Sequence, residues 1–322
     1  MDRHSNPDSI TRTVGDHDRL TAERVARWGR NSVSPFLVEP PNVLIRAGEG
    51  ATGCRLVRNW AVFATDIAAP PGCEGEALDQ LLVQVAEFGK RPIFVAVADP
   101  APYRDRGMHS VPIADDPRLE LASFSLAGKR MSNLRHSVSS ARRVGLRVVP
   151  YDLSVEAGVE HASSEWLATK RGGELGFTLG AFDAEMLARV DCRVALDRAG
   201  RVVAFVTWRP FDDGRGRVLD MMRRVTDAPN PAIDLLVAEG LSEFAATGVE
   251  VASLGSVPRS HGRLGERVYP ASSLRRYKEK FAPTWLPLEL VTPSRAALPG
   301  ALRAVAAAFC PDGLTSALRR NR

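Results

Sequence analysis

A basic stretch near the middle of the chain carries the residue types that bind phosphate. Residues 128–145 read GKRMSNLRHSVSSARRVG, and no acidic residue occurs between Glu120 and Asp152. The cations of this stretch are Lys129, Arg130, Arg135, Arg142 and Arg143. Because the stretch offers these cations no carboxylates, we interpret it as a surface for a polyanion, with phosphate as the leading candidate. The alternative is a solvated surface helix with favourable charges at its C-terminal end.

A helix is the element expected to position these cations. Met131, Leu134, Val138 and Ala141 are separated by three, four and three residues, which is the apolar stripe of an amphipathic helix. The cations lie largely off that stripe, and Gly145 is a natural C-terminal stop. The stretch is therefore predicted to pack one face on the protein and to present its charges elsewhere.

Asp220 and Arg223, in the sequence DMMRR of a predicted strand, form a second candidate group. Side chains alternate between the two faces of a strand, so residues three apart point in opposite directions. The two residues can share a site if a bulge or the strand end turns the chain. The alternative is a structural Asp–Arg pair at the sheet edge.

Two more stretches combine polar and aromatic residues. The glycine-punctuated loop RGGELGFTLGAFD holds Glu174 and Phe177. The run SLRRYKEKFAPTWLP, residues 273–287, holds Lys278 and Lys280, and its aromatic residues would pin it to the core if it were a solvated charge run. Only five of the 43 cations in the chain are lysine, so each lysine is a candidate for a role that arginine cannot fill.

Composition describes a globular protein of one large domain or two. The chain has 322 residues, 44% hydrophobic and 25% charged, and a net charge of +5. It contains no apolar run of about 18 residues and no secretory leader, so a cytoplasmic location is expected. The four cysteines form no CxxC pair, which predicts reduced thiols and no metal site. Nucleophile-elbow, HExxH and Walker signatures are also absent from the sequence.

Strand and helix signals alternate on both sides of the basic stretch, which indicates an α/β protein. Before it, strands are expected at 42–48, 53–65 and 91–99, with a helix at 74–90. After it, strands are expected at 146–152, 216–225 and 249–258, helices at 154–172 and 230–248, and a hairpin at 191–210.

The same alternation divides the chain. The predicted segments are a polar lead-in with one short helix (1–35), a first half (36–125), the basic linker helix (126–146), a second, catalytic half (147–292) and a helical tail (293–322). The apolar side of the tail is mostly alanine, which buries little area. We therefore expect it to pack on its own protein rather than insert into a membrane.

Taken together, these stretches resemble the C-terminal synthase domain of bacterial phosphatidylglycerol lysyltransferases, the enzymes of the multiple peptide resistance factor type. The similarity runs from about residue 40 to residue 292. It rests on FSLAGKRMSNLRHSVSSARRVG, ELGFTLGAFD, GRVVAF, DMMRR, DAPNPAIDLL, SLGSVP and YKEKFAPTW, in that order. The resemblance implies an α/β fold with two tandem GNAT-like acyltransferase halves joined by a basic α-helix.

The resemblance also implies an enzyme that moves an aminoacyl group from aminoacyl-tRNA to an amine or hydroxyl of an acceptor. The membrane-spanning part of the lipid enzymes does not occur in this sequence. We therefore expect a small soluble acceptor, for example in a specialised-metabolite or antibiotic-biosynthesis pathway, ahead of a phospholipid head group met by peripheral membrane contact. DNA is not an expected partner. No cofactor or metal is expected, because the ester is already activated.

The resemblance divides the candidate residues among three roles. The expected catalytic residues are Asp220, Arg223 and Lys280, with Lys280 near the ester or the terminal adenosine phosphate. The expected aminoacyl-binding residues are Glu174, Asp234 and Phe177. The expected tRNA-binding residues are Lys129, Arg130, Arg135, Arg142, Arg143 and Lys278.

Two alternative functions are compatible with the sequence. An acetyl-CoA-dependent N-acetyltransferase of GNAT fold normally needs a glycine-rich turn that holds pyrophosphate at a helix N-terminus. The corresponding turn here, DAPNPA, has no glycine; it places Asp227 where phosphates would lie, and Pro231 removes an N–H donor. A noncatalytic RNA-binding protein is the second alternative, but it would leave Asp220, Arg223 and Glu174 without a role.

Overall fold

Helices and strands alternate along the chain, which a computed structural model describes over residues 7–169, 177, 182, 184–187, 190–259 and 271–309. The helices are α1 (Pro7–Trp28), α2 (Glu74–Glu87), α3 (Ala101–Arg104), α4 (Ser132–Arg143), α5 (Glu156–Ala168), α6 (Ala184–Leu187), α7 (Ala232–Ala246), α8 (Ala271–Glu279) and α9 (Leu298–Phe309). The strands are β1 (Val43–Ala47), β2 (Gly50–Val57), β3 (Trp60–Phe63), β4 (Arg91–Val97), β5 (His109–Glu120), β6 (Arg147–Pro150), β7 (Asp191–Leu196), β8 (Val202–Phe211), β9 (Gly216–Arg224), β10 (Val251–Ser253), β11 (Val257–Pro258) and β12 (Thr284–Thr292).

Each half of the chain contains the same run of elements. In the first half β1, β2 and β3 pair antiparallel, α2 crosses over, and β4 returns parallel to β3. In the second half β7, β8 and β9 pair antiparallel, α7 crosses over, and β10 returns parallel to β9. A parallel return requires such a crossover. Two α/β halves of matching topology, joined by α4, confirm the predicted fold class.

The two halves exchange strands. β5 follows β4 in the chain but lies beside β10, whereas β12 follows β10 and β11 and lies beside β4. β12 and β5 pair with each other along the whole of β12. Twelve strands therefore form one sheet in the order β1-β2-β3-β4-β12-β5-β10-β9-β8-β7-β6, with β11 paired to β5. The predicted second half ends at residue 292 and therefore includes β12. The strands that pair with β12, however, are β4 and β5 of the first half.

The apolar stripe of the basic helix packs as predicted. Leu134, Val138 and Ala141 are buried in the core of the second half, and Met131 packs against the same cluster. The helix is shorter than the basic stretch and begins at Ser132, so the first two cations precede it. The chain leaves the helix through a glycine at position 145 with a positive φ of 89°.

Residues 53–65 were expected to form one strand, and that expectation is wrong. They contribute to the hairpin of β2 and β3, because Arg58 adopts a left-handed φ of 53° and reverses the chain. The predicted strand at 249–258 is likewise divided, into β10 and β11. In contrast, the predicted hairpin at 191–210 is confirmed as β7 and β8.

β5 had no counterpart among the predicted strands. Its sequence, HSVPIADDPRLE, contains two prolines and two aspartates, which are depleted in strands. Both aspartates are buried, and both are paired. The carboxylate of Asp115 accepts from Arg259 and Arg275, and that of Asp116 accepts from Ser32, Arg118 and Ser253.

The helical tail packs on the first half in the part that the structure describes. Ala301, Ala304 and Ala308 of α9 are buried in the hydrophobic cluster around β2 and β3, which confirms that expectation for Leu298–Phe309. The N-terminal helix is longer than predicted and spans Pro7–Trp28. Among the described residues, no helix is both long and apolar enough to cross a bilayer.

Gly53 on β2 lies directly against the backbone of Leu37, in the 3-10 helix Ser34–Val38. A Cβ at this position would overlap the carbonyl oxygen of Leu37. We expect Gly53→Ala to lower the free energy of unfolding by about 1–3 kcal/mol, as overpacking does in dense cores. Denaturant unfolding would measure the change. Gly75→Ala is the matched control, because its Cβ would meet no atom closer than 3.5 Å. An unchanged midpoint for Gly53→Ala would contradict the expected clash.

Candidate functional site

A β-bulge places Asp220 and Arg223 on the same face of the sheet. Val206 on β8 pairs with Met222, but Trp208 pairs with Leu219, so β9 contains one extra residue between these pairs. The hydroxyl of Thr207 accepts the backbone N–H of Met221 at 3.0 Å. An extra residue reverses the alternation of side chains after it. The condition under which Asp220 and Arg223 can share a site is therefore met.

The Asp220 carboxylate is fully buried and is paired with Arg209 of β8. The Arg209 Nε lies 2.7 Å from Asp220 Oδ2, and its Nη1 lies 2.6 Å from Glu39 Oε1. Side-chain exposure is 0% for Asp220 and 7% for Arg209. Burial alone would lower the pKa of Arg209, but Asp220 and then Glu39 outweigh burial and raise it. Asp220 thus belongs to a buried Asp–Arg pair in the interior of the sheet, with Arg209 as partner.

Arg223 lies in a polar and aromatic pocket beneath α5. It is 3% exposed, and its Nη1 donates to Ser163 Oγ at 2.6 Å. Its guanidinium lies 4.9 Å from the ring centroid of Trp166 and 5.6 Å from that of Phe182. The faces of aromatic rings attract a cation and so replace part of the hydration that the guanidinium loses on burial. The guanidinium is therefore held in a fixed position at the C-terminal end of β9.

Lys280 and Asp234 meet in a cleft at the start of α7. Lys280 Nζ lies 3.0 Å and 3.2 Å from the two carboxylate oxygens of Asp234, which is 3% exposed. The cleft has a volume of about 210 Å³ and is also lined by His136, Ser137, Ser140, Asn230 and Pro231. The structure thus brings together a predicted catalytic residue and a predicted aminoacyl-binding residue, beside the basic helix.

The helix that carries Asp234 begins at Ala232 after Pro231, without a side-chain cap. The side-chain oxygen of Asn230, just before this helix, accepts from Arg224 at 3.4 Å. Asn230 is therefore left as part of the cleft lining.

The two groups lie on opposite faces of the sheet. Phe205 of β8 packs against Phe182, which also covers Arg223. Trp208, three positions later on the same strand, packs against Phe244 of α7. Because faces alternate along a strand, these contacts are on opposite sides. Asp220 and Arg223 therefore share the face covered by α5, whereas Asp234 belongs to the helix on the other face.

The cations of the basic stretch are exposed, but not all are free of partners. Arg135 donates to the backbone carbonyls of Leu126 and Gly128, and Arg142 Nη2 lies 3.0 Å from Glu239 Oε1 on α7. The expectation that these cations lack a carboxylate partner is thus wrong for Arg142, because α7 supplies one. The exposed cations are Lys129, Arg130, Arg135, Arg142 and Arg143.

A family model described as phosphatidylglycerol lysyltransferase, C-terminal, matches residues 23–291. The chain belongs to this family.

Two curated relatives of the family illustrate the sequence similarity. The chain is 27% identical over 274 residues to the lysylphosphatidylglycerol biosynthesis bifunctional protein LysX of Mycobacterium avium (strain 104), covering 76% of this chain and 23% of the relative. It is 27% identical over 233 residues to the phosphatidylglycerol lysyltransferase of Bacillus subtilis (strain 168), covering 65% of this chain and 27% of the relative. The chain spans about a quarter of the length of these relatives.

Solved structures agree with the family assignment at the level of fold. L-PGS from Bacillus licheniformis superposes with a TM-score of 0.80 at 22% identity, covering 92% of this chain and 96% of that one. The C-terminal DUF2156 domain from Agrobacterium fabrum gives a TM-score of 0.81 at 22% identity, covering 92% and 98%. The predicted resemblance to the phosphatidylglycerol lysyltransferase C-terminal family is therefore confirmed.

Phe177, predicted to bind the aminoacyl group, lies in the hydrophobic core. It is 2% exposed and belongs to the hydrophobic cluster of the first half, where it packs edge-on against Phe309 at 5.3 Å. The Arg55 guanidinium covers its ring at 5.2 Å. We correct the assignment, because this ring fills the core between the tail and the sheet. Glu174, the other candidate in that loop, lies outside the described residues.

Lys278 is also corrected, because it is buried and cannot form part of a surface for tRNA. It is 3% exposed, and its Nζ donates to the carbonyl of Gly255 at 2.6 Å. Burial lowers the pKa of Lys278 to about 7, although the charge of Asp116 acts in the opposite direction. The two lysines differ because α8 ends between them. Lys278 lies on the inward face of the helix, whereas Lys280 follows the end of the helix.

Arg209 and Glu39 were not among the residues singled out from the sequence. A signal for Arg209 was present, since it is the one charged residue in the buried strand VVAFVTWRPF. A charge in such a run indicates a buried partner. Glu39 gave no comparable signal, because it precedes two prolines in a segment without periodicity.

The buried lysine predicts a pH dependence of stability. The pKa of Lys278 is about 7 in the folded chain and 10.5 as its ordinary value. Between these values the unfolded chain binds more protons, so this group makes stability rise with pH, by at most about 1.4 kcal/mol per unit. We expect Lys278→Met to be more stabilising at pH 7 than at pH 9.5, as measured by urea unfolding.

Lys90→Met is the matched control, because Lys90 Nζ also donates to a backbone carbonyl, that of Arg58, but at the surface. A gain for Lys278→Met of equal size at both pH values would contradict the lowered pKa.

Proposed function

We propose that the chain transfers an aminoacyl group from aminoacyl-tRNA to an acceptor hydroxyl or amine. The observation that carries the proposal is the cleft at the start of α7. Its walls come from the basic helix, through Ser137 and Ser140, and its floor is the Lys280–Asp234 pair. The cations of the basic helix, proposed to bind phosphate, thus adjoin a charged pair. This supports a donor such as aminoacyl-tRNA, which combines a polyanionic body with a reactive end.

The proposed reaction needs positioning and charge rather than a covalent nucleophile. The acceptor atom attacks the carbonyl carbon of the aminoacyl ester, and the bond from that carbon to the terminal ribose oxygen breaks. The proton of the acceptor passes to that ribose oxygen. Asp220 is proposed to hold the α-ammonium of the aminoacyl group or to receive the proton, and Arg223, on the same face of the sheet, to stabilise the developing oxyanion. Lys280, in the cleft on the opposite face, is proposed to bind the terminal adenosine phosphate. The reaction requires no cofactor or metal.

The turn before α7 is less suited to acetyl-CoA. The segment 225–231 contains no glycine, and the first turn of α7 carries the acidic residue Asp234. A carboxylate in the first turn of a helix competes with pyrophosphate for the positive end of that helix. This arrangement supports a donor other than acetyl-CoA.

Separate observations support each of two acceptor classes. Curated relatives carry the name phosphatidylglycerol lysyltransferase, which makes phosphatidylglycerol one acceptor. The second class is a small soluble hydroxyl or amine compound. It is supported by α9, which buries Ala301, Ala304 and Ala308 against the first half.

Transfer from charged tRNA tests the proposal. We expect the protein, incubated with a pool of aminoacyl-tRNAs, to deacylate one class of tRNA when either phosphatidylglycerol vesicles or soluble amines and alcohols are present. We expect Asp220→Asn to reduce transfer by at least about a hundredfold, because it removes the charge proposed to act on the aminoacyl group. The labelled product identifies the acceptor.

Binding of tRNA by Asp220→Asn is the control, and it should equal that of the unmodified protein. A loss of activity that only follows a loss of thermal stability would assign Asp220 to the structure rather than to the reaction. Consumption of acetyl-CoA, with every charged tRNA left intact, would contradict the proposed donor.

Neutralising the basic helix tests the tRNA surface. We expect the triple variant Arg135→Gln, Arg142→Gln and Arg143→Gln to bind tRNA more weakly. The slope of log affinity against log salt should fall by about 0.7–0.9 for each phosphate group that the variant no longer binds. Filter binding at several salt concentrations would measure it.

A second triple variant gives the matched control. Arg58→Gln, Arg91→Gln and Arg303→Gln remove the same charge from exposed positions in the first half and the tail. Its salt slope should be that of the unmodified protein. Equal slopes for both triple variants would show that the helix faces solvent only.

A further inference from the structure

Arg209 connects the buried Asp220 carboxylate to the first half of the chain. Its planar guanidinium uses two edges, with Nε at 2.7 Å from Asp220 and Nη1 at 2.6 Å from Glu39. The ring of Phe36 lies 5.3 Å from the guanidinium carbon and covers one face. Glu39 and Phe36 come from the segment before β1, whereas Arg209 and Asp220 are on β8 and β9. The carboxylate is therefore oriented by a fork that is itself held from the other half.

Stability alone does not account for this arrangement. Arg209 Nη2 is buried without a hydrogen-bond partner within the described part of the chain. A buried charged donor without a hydrogen bond lowers the stability of the fold. A buried ion pair also seldom stabilises a fold more than apolar side chains of similar volume would. What the arrangement does provide is a fixed geometry for one carboxylate, since a guanidinium fork binds at defined angles.

Arg193 of β7 provides an internal comparison. Its side chain is 9% exposed, against 7% for Arg209, and it lies between two carboxylates, with Nε at 2.8 Å from Asp191 and Nη1 at 2.6 Å from Glu243. Its guanidinium likewise covers an aromatic ring, that of Phe244, at 4.9 Å. The difference lies in the carboxylates: the side chains of Asp191 and Glu243 are 33% and 62% exposed, whereas that of Asp220 is fully buried.

We propose that Arg209 is a positioning residue that, together with Glu39, fixes the Asp220 carboxylate for aminoacyl transfer. This inference rests on the proposed function, in which Asp220 acts on the aminoacyl group. Arg209 acts through Asp220 and is not proposed to touch the substrate, because its Nε and Nη1 are already bonded to the carboxylates of Asp220 and Glu39. The first half of the chain thereby contributes to the reaction through Glu39, although Asp220, Arg223 and Lys280 all belong to the second half.

Replacement of the fork by a single point charge tests the proposal. Arg209→Lys keeps the charge but cannot donate along both edges. We expect its kcat for transfer from aminoacyl-tRNA to fall by about tenfold to a hundredfold, as misplacement of a reacting group does, with KM for the tRNA within about twofold. Arg193→Lys makes the same chemical change at the comparison site. We expect it to keep kcat within about twofold of the unmodified protein, whatever its effect on the melting temperature.

Two further variants keep the test decisive if Arg209→Lys folds poorly. Glu39→Gln, at a partly exposed position, should lower kcat severalfold without lowering tRNA affinity. Adding Arg209→Lys to Asp220→Asn should cause no further loss of the residual activity, because Arg209 acts through Asp220. Equal kcat values for Arg209→Lys and Arg193→Lys, or a further loss in the double variant, would overturn the inference. If the unmodified protein transfers nothing from any charged tRNA, the proposed function itself fails.

Discussion

Nine successive residue pairs between β12 and β5 join the two halves into one sheet. β5 itself carries the buried carboxylate of Asp116, which accepts hydrogen bonds from Ser32, Arg118 and Ser253. These donors come from the segment before β1, from β5 and from β10, so one charged group fixes three separate parts of the chain. Leaving any of these bonds unmade in the interior would be costly. The segment before β1 is the one that carries Glu39, so the same interaction also fixes the approach of the first half to β8.

The candidate site depends on both halves because its polar groups are divided between two faces of that sheet. One extra residue in β9 turns Asp220 onto the face of Arg209 and Arg223. On the other face, α7 presents Asp234 to Lys280 and to the basic helix. Each group is completed by a segment outside the second-half sheet, the Glu39 segment on one side and α4 on the other. The Glu39 segment and α4, packed on opposite faces of the sheet, therefore set the positions of the polar groups on each face.

Features set by local spacing could be predicted from the sequence, whereas features set by distant contacts could not. The apolar stripe of α4 could be read from the spacing of its residues alone, without knowledge of tertiary contacts. The stripe is buried, as predicted. The motif that contains Asp220 indicated a pair of charges, but the bulge depends on pairing with β8. Phe177 and Lys278 are residue types expected in a binding site but are buried instead. Phe177 packs against Phe309 of α9, and Lys278 donates to Gly255 in the segment after β10. The two aspartates made β5 hard to predict, because most of their partners lie far away in the sequence. Asp115 is paired with Arg259 and Arg275, and Asp116 accepts from Ser32 and Ser253.

The exchanged strands have a consequence for the order in which the chain can fold. β4 is complete long before β12 is synthesised, and until then its backbone N–H and C=O groups form an open sheet edge. Pairing between such distant segments closes slowly, because chain entropy must be given up before the strands can pair. An open edge in a nascent chain is also a place where another chain can pair. The exchanged strands thus make the completion of the sheet wait for β12, which is among the last elements of the chain to be synthesised.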